Sequence, residues 1–163
     1  MKVSAQEEYG LRILLRIAKG SLGVGLTIND ISELENLSTS NTAKILRILR
    51  LSGMLKSTRG NTGGYELAKS TTEINIGEVL KVLGGNIYDE QFCDNFKGVG
   101  ELCNNSIDCT IRSLWQLIQL SVNQVAGSLT LADLIRPEEA FKQSVINKLN
   151  LTPEASKIHE VSK

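Results

Sequence analysis

Long apolar runs are missing from this 163-residue sequence. No apolar run approaches the roughly 18–20 residues that a membrane-spanning helix needs. Lys2 is followed by no apolar segment, so no secretory leader is expected and the cytoplasm is the expected compartment. Histidine is nearly absent; the single one, His159, falls in the last few residues, where a solvated tail position is expected. Cysteine is scarce and odd in number, three in all, which argues against the paired framework of a disulfide-stapled secreted domain. There is no nucleotide-binding glycine fingerprint and no nucleophile patterned with a base, so nothing points to a substrate pocket. What remains, 41% hydrophobic and 22% charged, is the balance of a globular protein. The length suits one domain, or one domain with an extension.

The stretch 38–68 is the most informative. Ser38 is a good N-cap, since its hydroxyl can accept from the free N–H groups of a first helical turn. Ala43, Ile45, Leu46, Ile48, Leu49 and Leu51 predict one broad buried helical face, interrupted by Lys44, Arg47 and Arg50. Ser52-Gly53 closes that helix. Met54–Arg59 and Tyr65–Ala68 then read as two short strands around the turn Gly60-Asn61-Thr62-Gly63-Gly64. Charge is distributed unevenly although the whole chain sums to zero. Residues 38–69 hold Lys44, Arg47, Arg50, Lys56, Arg59 and Lys69 against Glu66 alone, six against one or +5. Residues 70–109 hold Lys81 and Lys97 against seven acids, or −5. A basic patch beside a helix and hairpin is the electrostatic footprint that a phosphate backbone requires.

Upstream, Ser4-Ala5-Gln6-Glu7 fits a capping box opening a helix from about Ala5 to Lys19, with Tyr9, Leu11, Leu14, Leu15 and Ile17 inward and Gly20 as its stop. After the loop Ser21–Leu26, Thr27 with Asp30 caps a second helix that should bury Ile28, Ile31 and Leu34. Asn36-Leu37 turns the chain into the helix at Ser38. Three helices and a hairpin in this order describe a winged helix–turn–helix. Downstream, Lys69–Glu73 is a polar connector and Glu78–Leu83 a short helix closed by Gly84-Gly85. Residues 86–108 show no clear period, the mark of a functional or disordered loop. From Thr110 to Gly127 the pattern is helical and too apolar for a helix with one face in water, so a second subunit is expected to cover it. Leu129–Ile135 reads as a short segment docking back, and Arg136-Pro137 begins a weakly amphipathic tail. The expected fold class is mainly α with a small β-wing. The expected organisation is a winged helix–turn–helix DNA-binding domain at 1–85, a cysteine loop at 86–109, a dimerisation helix with docking segment at 110–135, and a tail at 136–163.

Cys93, Cys103 and Cys109 follow a C-x9-C-x5-C pattern. Three thiolates gathered in an acidic segment would repel one another unless a metal centre neutralised them. Soft thiolate donors suit zinc or iron–sulfur clusters, and the closely spaced cysteine pairs of zinc sites are absent here. Cys109 directly precedes a predicted helix, where free backbone N–H groups favour the thiolate.

The wing Arg59-Gly60-Asn61-Thr62-Gly63-Gly64-Tyr65-Glu66-Leu67, the segment Ile74-Asn75-Ile76-Gly77-Glu78-Val79 and the cysteines ahead of a long helix resemble the IscR/NsrR group of winged-helix iron–sulfur transcriptional regulators. The resemblance covers roughly residues 1–135. It implies a cytoplasmic homodimer that binds a double-stranded DNA operator, with repression as its output. By position, Ser38, Thr39, Ser40, Asn41 and Lys44 would be the recognition-helix contacts, and Arg59 and Asn61 the wing contacts. Cys93, Cys103 and Cys109 would hold a 2Fe-2S or 4Fe-4S cluster that senses iron–sulfur status, redox state or nitric oxide. Some members place a histidine three residues after the last cysteine; here that residue is Arg112, which cannot ligate. Others use an acid near the N-terminus of the partner subunit, the position that Glu8 occupies. The alternative is a cluster-free regulator switched by thiol oxidation or by a small-molecule or protein partner.

Overall fold

The computed structural model describes residues 3–20, 25–58, 63–100, 103 and 107–150. The expected wing-tip residues Arg59, Gly60, Asn61 and Thr62, part of the loop at 21–24, and His159 lie outside the described residues.

Helix α1, Ala5–Lys19, opens with the expected capping box. Glu7 N–H donates to Ser4 Oγ (3.2 Å) while Ser4 N–H donates to Glu7 Oε2 (2.8 Å), satisfying two of the helix's free donors. Its buried stripe is Gly10, Ile13, Leu14 and Ile17, spaced by three and four; Tyr9, Leu11 and Leu15 flank it half-buried. Helix α2, Ile28–Glu35, is likewise capped by Thr27 and Asp30. Thr27's hydroxyl and backbone N–H hold the Asp30 carboxyl below the usual carboxylate range. Ile31 is buried and Ile28 half-buried, but Leu34 faces outward, contrary to expectation. The inward position one turn beyond Ile31 belongs instead to Glu35, whose carboxylate meets two arginines of α1. Asn36 adopts the left-handed conformation that ends α2 (φ 53°), a conformation asparagine tolerates.

Helix α3, Thr39–Leu51, begins at the Ser38 cap, whose Oγ accepts from Asn41 N–H at 3.3 Å. Thr42, Ile45, Leu46 and Leu49 form its buried stripe. Leu51 is exposed rather than buried, because two residues past Leu49 the helix has turned away from the core. Strands β1, Leu55–Thr58, and β2, Gly64–Leu67, pair antiparallel, with Leu55 opposite Leu67 and Lys56 opposite Glu66. Leu26 adds an isolated bridge to Tyr65, through N–H to carbonyl bonds of 3.1 and 2.8 Å. This bridge explains Gly25 and Gly64: a Cβ on Gly25 would lie 2.8 Å from the Gly64 backbone.

Helix α4, Ile76–Gly84, is capped by Asn75, which also joins distant parts of the chain. Its Oδ1 accepts from Glu78 N–H (3.2 Å), and its Nδ2 donates to the carbonyl of Gly127 (2.7 Å). Within the aperiodic segment a short helix α5 forms, Phe92–Asn95. Helix α6, Thr110–Gly127, follows, and α7, Leu131–Ile135, docks back as expected. Ile76 N–H donates to Leu129 carbonyl (3.0 Å) and Leu131 N–H to Ile74 carbonyl (2.9 Å). Ala126, Leu129 and Leu131 thereby join the same core as Ile13, Ile45 and Val79. Helix α8, Glu138–Leu149, buries no residue fully. No helix among the described residues is long and apolar enough to cross a membrane.

Candidate nucleic-acid interface and cysteine segment

The fold puts the N-terminal end of α3 on the surface. Ser38, Thr39, Ser40 and Lys44 are exposed and Asn41 is half-buried. Ser40, Lys44 and Arg47 share one outer stripe by the spacing of three and four, opposite the buried stripe headed by Thr42 and Ile45. The hydroxyls of Ser38 and Ser40 lie 3.3 Å apart at the helix start. No acid occupies the first turn of α3, unlike α1, α2 and α4. Free backbone donors, uncapped by carboxylate and flanked by hydroxyls, suit a phosphate oxygen, and the basic stripe extends that surface by two turns. One of the six basic residues counted in the sequence is already engaged: Lys56 Nζ pairs with Glu66 across the hairpin at 3.2 Å. Arg59 and Asn61, the wing contacts, lie outside the described residues.

The turn that sets α3 in place is held from α1. Arg12 Nε and Arg16 Nε reach Glu35 Oε2 and Oε1 at 2.9 and 2.6 Å, and Arg12 Nη2 donates to the Glu35 carbonyl at 2.9 Å. Sequence reading missed this group. The two arginines stand one turn apart on α1, but nothing in the sequence says which acid they meet.

The cysteine segment is built against α6. Gln119 Oε1 accepts from Ile87 N–H (2.6 Å) and Tyr88 N–H (3.2 Å), fixing the entry to the segment. Tyr88, Phe92, Phe96 and Trp115, four of the chain's seven aromatic residues, pack together. Phe92 is at the centre, with ring centroids 5.1, 4.8 and 6.2 Å from the other three. Clustering of rare aromatics around Cys93 was a usable sequence signal. Cys93 lies in α5, Cys109 is the N-cap of α6, and Cys103 lies between them; all three thiols are free and half-buried. Cys109 Sγ accepts from Arg112 N–H at 3.3 Å. Glu8 is exposed in the first turn of α1. Among the described residues, no three His, Cys, Asp or Glu side chains converge as a metal ion would require.

A capped helix–turn–helix with a paired hairpin, carrying a basic stripe on its second helix, can be set beside known proteins. The model of the Rrf2 family, described as an iron-dependent transcriptional regulator, matches residues 3–137. The chain belongs to the Rrf2 family. Protein Rrf2 of Nitratidesulfovibrio vulgaris is 30% identical over 156 residues, 96% of this chain and 99% of its own. Among solved structures, CymR, the global cysteine regulator of B. subtilis, superposes with a TM-score of 0.63 at 31% identity, over 83% of this chain and 96% of that one. IscR of T. potens superposes equally well, TM-score 0.63, at 27% identity over 83% and 86% of the two chains. Like the Rrf2 proteins it matches, this chain is a transcriptional regulator and not an enzyme.

Proposed function

We propose that this Rrf2 regulator works as a homodimer whose two α3 helices enter successive major grooves of an operator, about one helical turn or 34 Å apart. The observation that carries the DNA reading is the exposed start of α3, with Ser38, Thr39, Ser40, Asn41 and Lys44 around acid-free N–H groups and Arg47 extending the basic stripe. Arg59 and Asn61, on a glycine-rich tip, suit the narrow minor groove beside it. Dimerisation is supported by α6, which leaves Ile111, Leu114, Leu117, Leu120 and Val125 in solvent.

The sensing element in this reading is the cysteine segment. Three free, half-buried thiols within 17 residues have the donor chemistry of an iron–sulfur site, and Cys93, Cys103 and Cys109 would hold it. Glu8, exposed on α1, is free to complete the set across a dimer. Such a cluster, when bound, supplies metal–sulfur bonds that oxidants, nitric oxide or iron shortage can break. The chain's own part is to carry the change: Cys93 sits on α5, whose Phe92 packs on Trp115 of α6, and α6 rejoins the head through Asn75. Repression is the output that fits an operator-bound dimer. A second reading is favoured by one observation, that no three ligating side chains converge among the described residues of one chain. In it the same thiols switch by oxidation alone.

The test is protein prepared without air. Visible absorption and bound iron that disappear in Cys93→Ala, Cys103→Ala or Cys109→Ala support the cluster. Colourless, iron-free protein whose DNA affinity still follows thiol oxidation supports the second reading. Arg59→Ala should lose DNA retention while keeping the colour.

A further inference from the structure

We infer that Glu35, held by Arg12 and Arg16, is a positioning residue for DNA reading: it sets the angle at which α2 and its turn present α3. Helix α2 is only two turns long and has one fully buried large apolar side chain, Ile31. Apolar contact is non-directional, so Ile31 and half-buried Ile28 leave the roll of α2 about its axis loosely determined. Leu34, which could have added a second anchor, points to solvent. The directional contacts come from α1. Two guanidinium groups take separate oxygens of one carboxylate at 2.9 and 2.6 Å, and a third bond reaches the Glu35 carbonyl.

Location turns this clamp into a reading device. Glu35 is the last residue of α2, directly before left-handed Asn36 and three residues before the Ser38 cap. The turn itself is tight, with Leu37 N–H on Ser32 carbonyl (2.9 Å) and Asn36 N–H on Glu33 carbonyl (3.3 Å). Any rotation of α2 is therefore passed to the start of α3, where the proposed contacts lie. Helix α2 has no basic residue in its own last turn, so Arg12 also supplies the positive charge that its C-terminal carbonyls favour. Glu35 is buried at 6% exposure while both arginines are about two-fifths exposed, so the fixed point is the carboxylate and the arms reach it from the surface. An arginine fork holds such geometry better than an ammonium, which has no fixed plane. Glu8 stands one turn before Arg12 on the same helix, so the clamp also joins that end of α1 to the turn.

This inference rests on the DNA-binding reading. The probe is the duplex that the unaltered protein enriches from a randomised pool, compared with poly(dI-dC) at the same salt. Glu35→Gln keeps the shape and removes the charge. It should lower the ratio of operator to non-specific affinity about tenfold, with non-specific affinity unchanged or raised by the extra net positive charge. Arg16→Lys, which leaves both Arg12 bonds in place, should keep the unfolding temperature and lower the ratio about threefold, which carries the test if Glu35→Gln does not fold. A ratio unchanged in Arg16→Lys, or both affinities falling in equal proportion in Glu35→Gln, would overturn the inference, since a purely stabilising pair changes only the active fraction. If the unaltered protein enriches no duplex, the DNA-binding reading falls and the clamp's role in reading falls with it.

Discussion

Helices α1 and α6 have similar lengths, 15 and 18 residues, and opposite fates. The shorter one, with more charge, fully buries Gly10, Ile13, Leu14 and Ile17. The longer and more apolar one buries only Ala126, near its end. Burial in one chain therefore follows the availability of a facing surface and not the apolar content of the helix. Around α1 the chain supplies α2, α3, α4, β2 and α7. Around α6 it supplies α4 at one end and the cysteine segment on one side, leaving five large apolar side chains 41–61% exposed. Covering each would gain roughly 1 kcal/mol, so two such faces meeting gain on the order of 10 kcal/mol before the cost of association. That is enough for a dimer and far more than a solvated helix face needs.

The strongest way to break this contrast is to make the α6 face as polar as its exposure in one chain would allow. Leu117→Glu with Leu120→Glu would place four carboxylates at the proposed two-fold seam, where unpaired charge is costly. The expected result is a monomer by sedimentation, with the helical content of the head kept and operator affinity down by about two orders of magnitude or more, since a half-site alone must hold. A double variant that sediments as a dimer would show that α6 is not the contact.

A pair of leucine truncations sharpens the same point. Leu46→Ala, in the buried stripe of α3, should cost about 2–5 kcal/mol at any protein concentration, because it leaves a cavity in a filled core. On the proposed dimer, Leu117→Ala should lower the unfolding temperature by an amount that grows as the protein is diluted. Equal, concentration-independent losses in both would place the α6 face inside a single-chain core.

The same distinction explains what was legible in advance. Caps and turns are local, and Ser4, Thr27, Ser38 and Gly53 could be read because the groups they satisfy lie within four residues. The hairpin and the return of Leu129–Ile135 were legible for a similar reason, since short strands and apolar patches declare themselves by pattern. Leu34, Leu51 and Glu35 were misjudged or missed because periodicity gives the existence of a buried face but not its centre. A shift of one or two residues around a helix changes which side chain is buried, and in α2 a long-range pair of arginines meets the buried Glu35. The cysteines were singled out by spacing and chemistry, and the structure places Cys93 in α5 and Cys109 at the start of α6. Their arrangement was not legible, since spacing along the chain does not say which side chains meet in space.

A smaller effect is expected at the start of α3. Ser38→Ala removes the hydroxyl that takes Asn41 N–H, which should cost about 1 kcal/mol of stability. If the hydroxyl also faces the operator, affinity should fall by more than this loss accounts for, with the salt dependence unchanged because no cation is removed. Lys44→Ala should instead weaken binding while making the salt slope shallower by about one. The two variants behaving alike would mean that neither contact is with DNA.

The smallest effect lies at α8, which has neither the core of α1 nor the apolar face of α6. It packs through half-buried Phe141 and Val145, and Lys148 Nζ reaches both oxygens of Asp133 at 3.2 and 3.1 Å. Burial pushes the Asp133 carboxyl up, but Thr130's N–H, Lys148 and Thr130's hydroxyl together hold it below the usual range. Arg136 stands 3.8 Å away on the same side. A carboxyl lowered on folding stabilises fully above its unfolded value, near 3.8, and its contribution drains away as the pH falls through the lower folded value. Amide exchange over residues 138–149 should therefore quicken below about pH 4 while the α1–α4 core stays protected. Lys148→Met, which spares Asp133's cap on α7, should quicken the same amides at neutral pH and cost about 1 kcal/mol, because the lysine end of the pair is about two-fifths exposed. Exchange across α8 that ignores both the acid and the substitution would assign its docking to Phe141 and Val145 alone, making α8 a weak copy of α1 and not a third kind of helix.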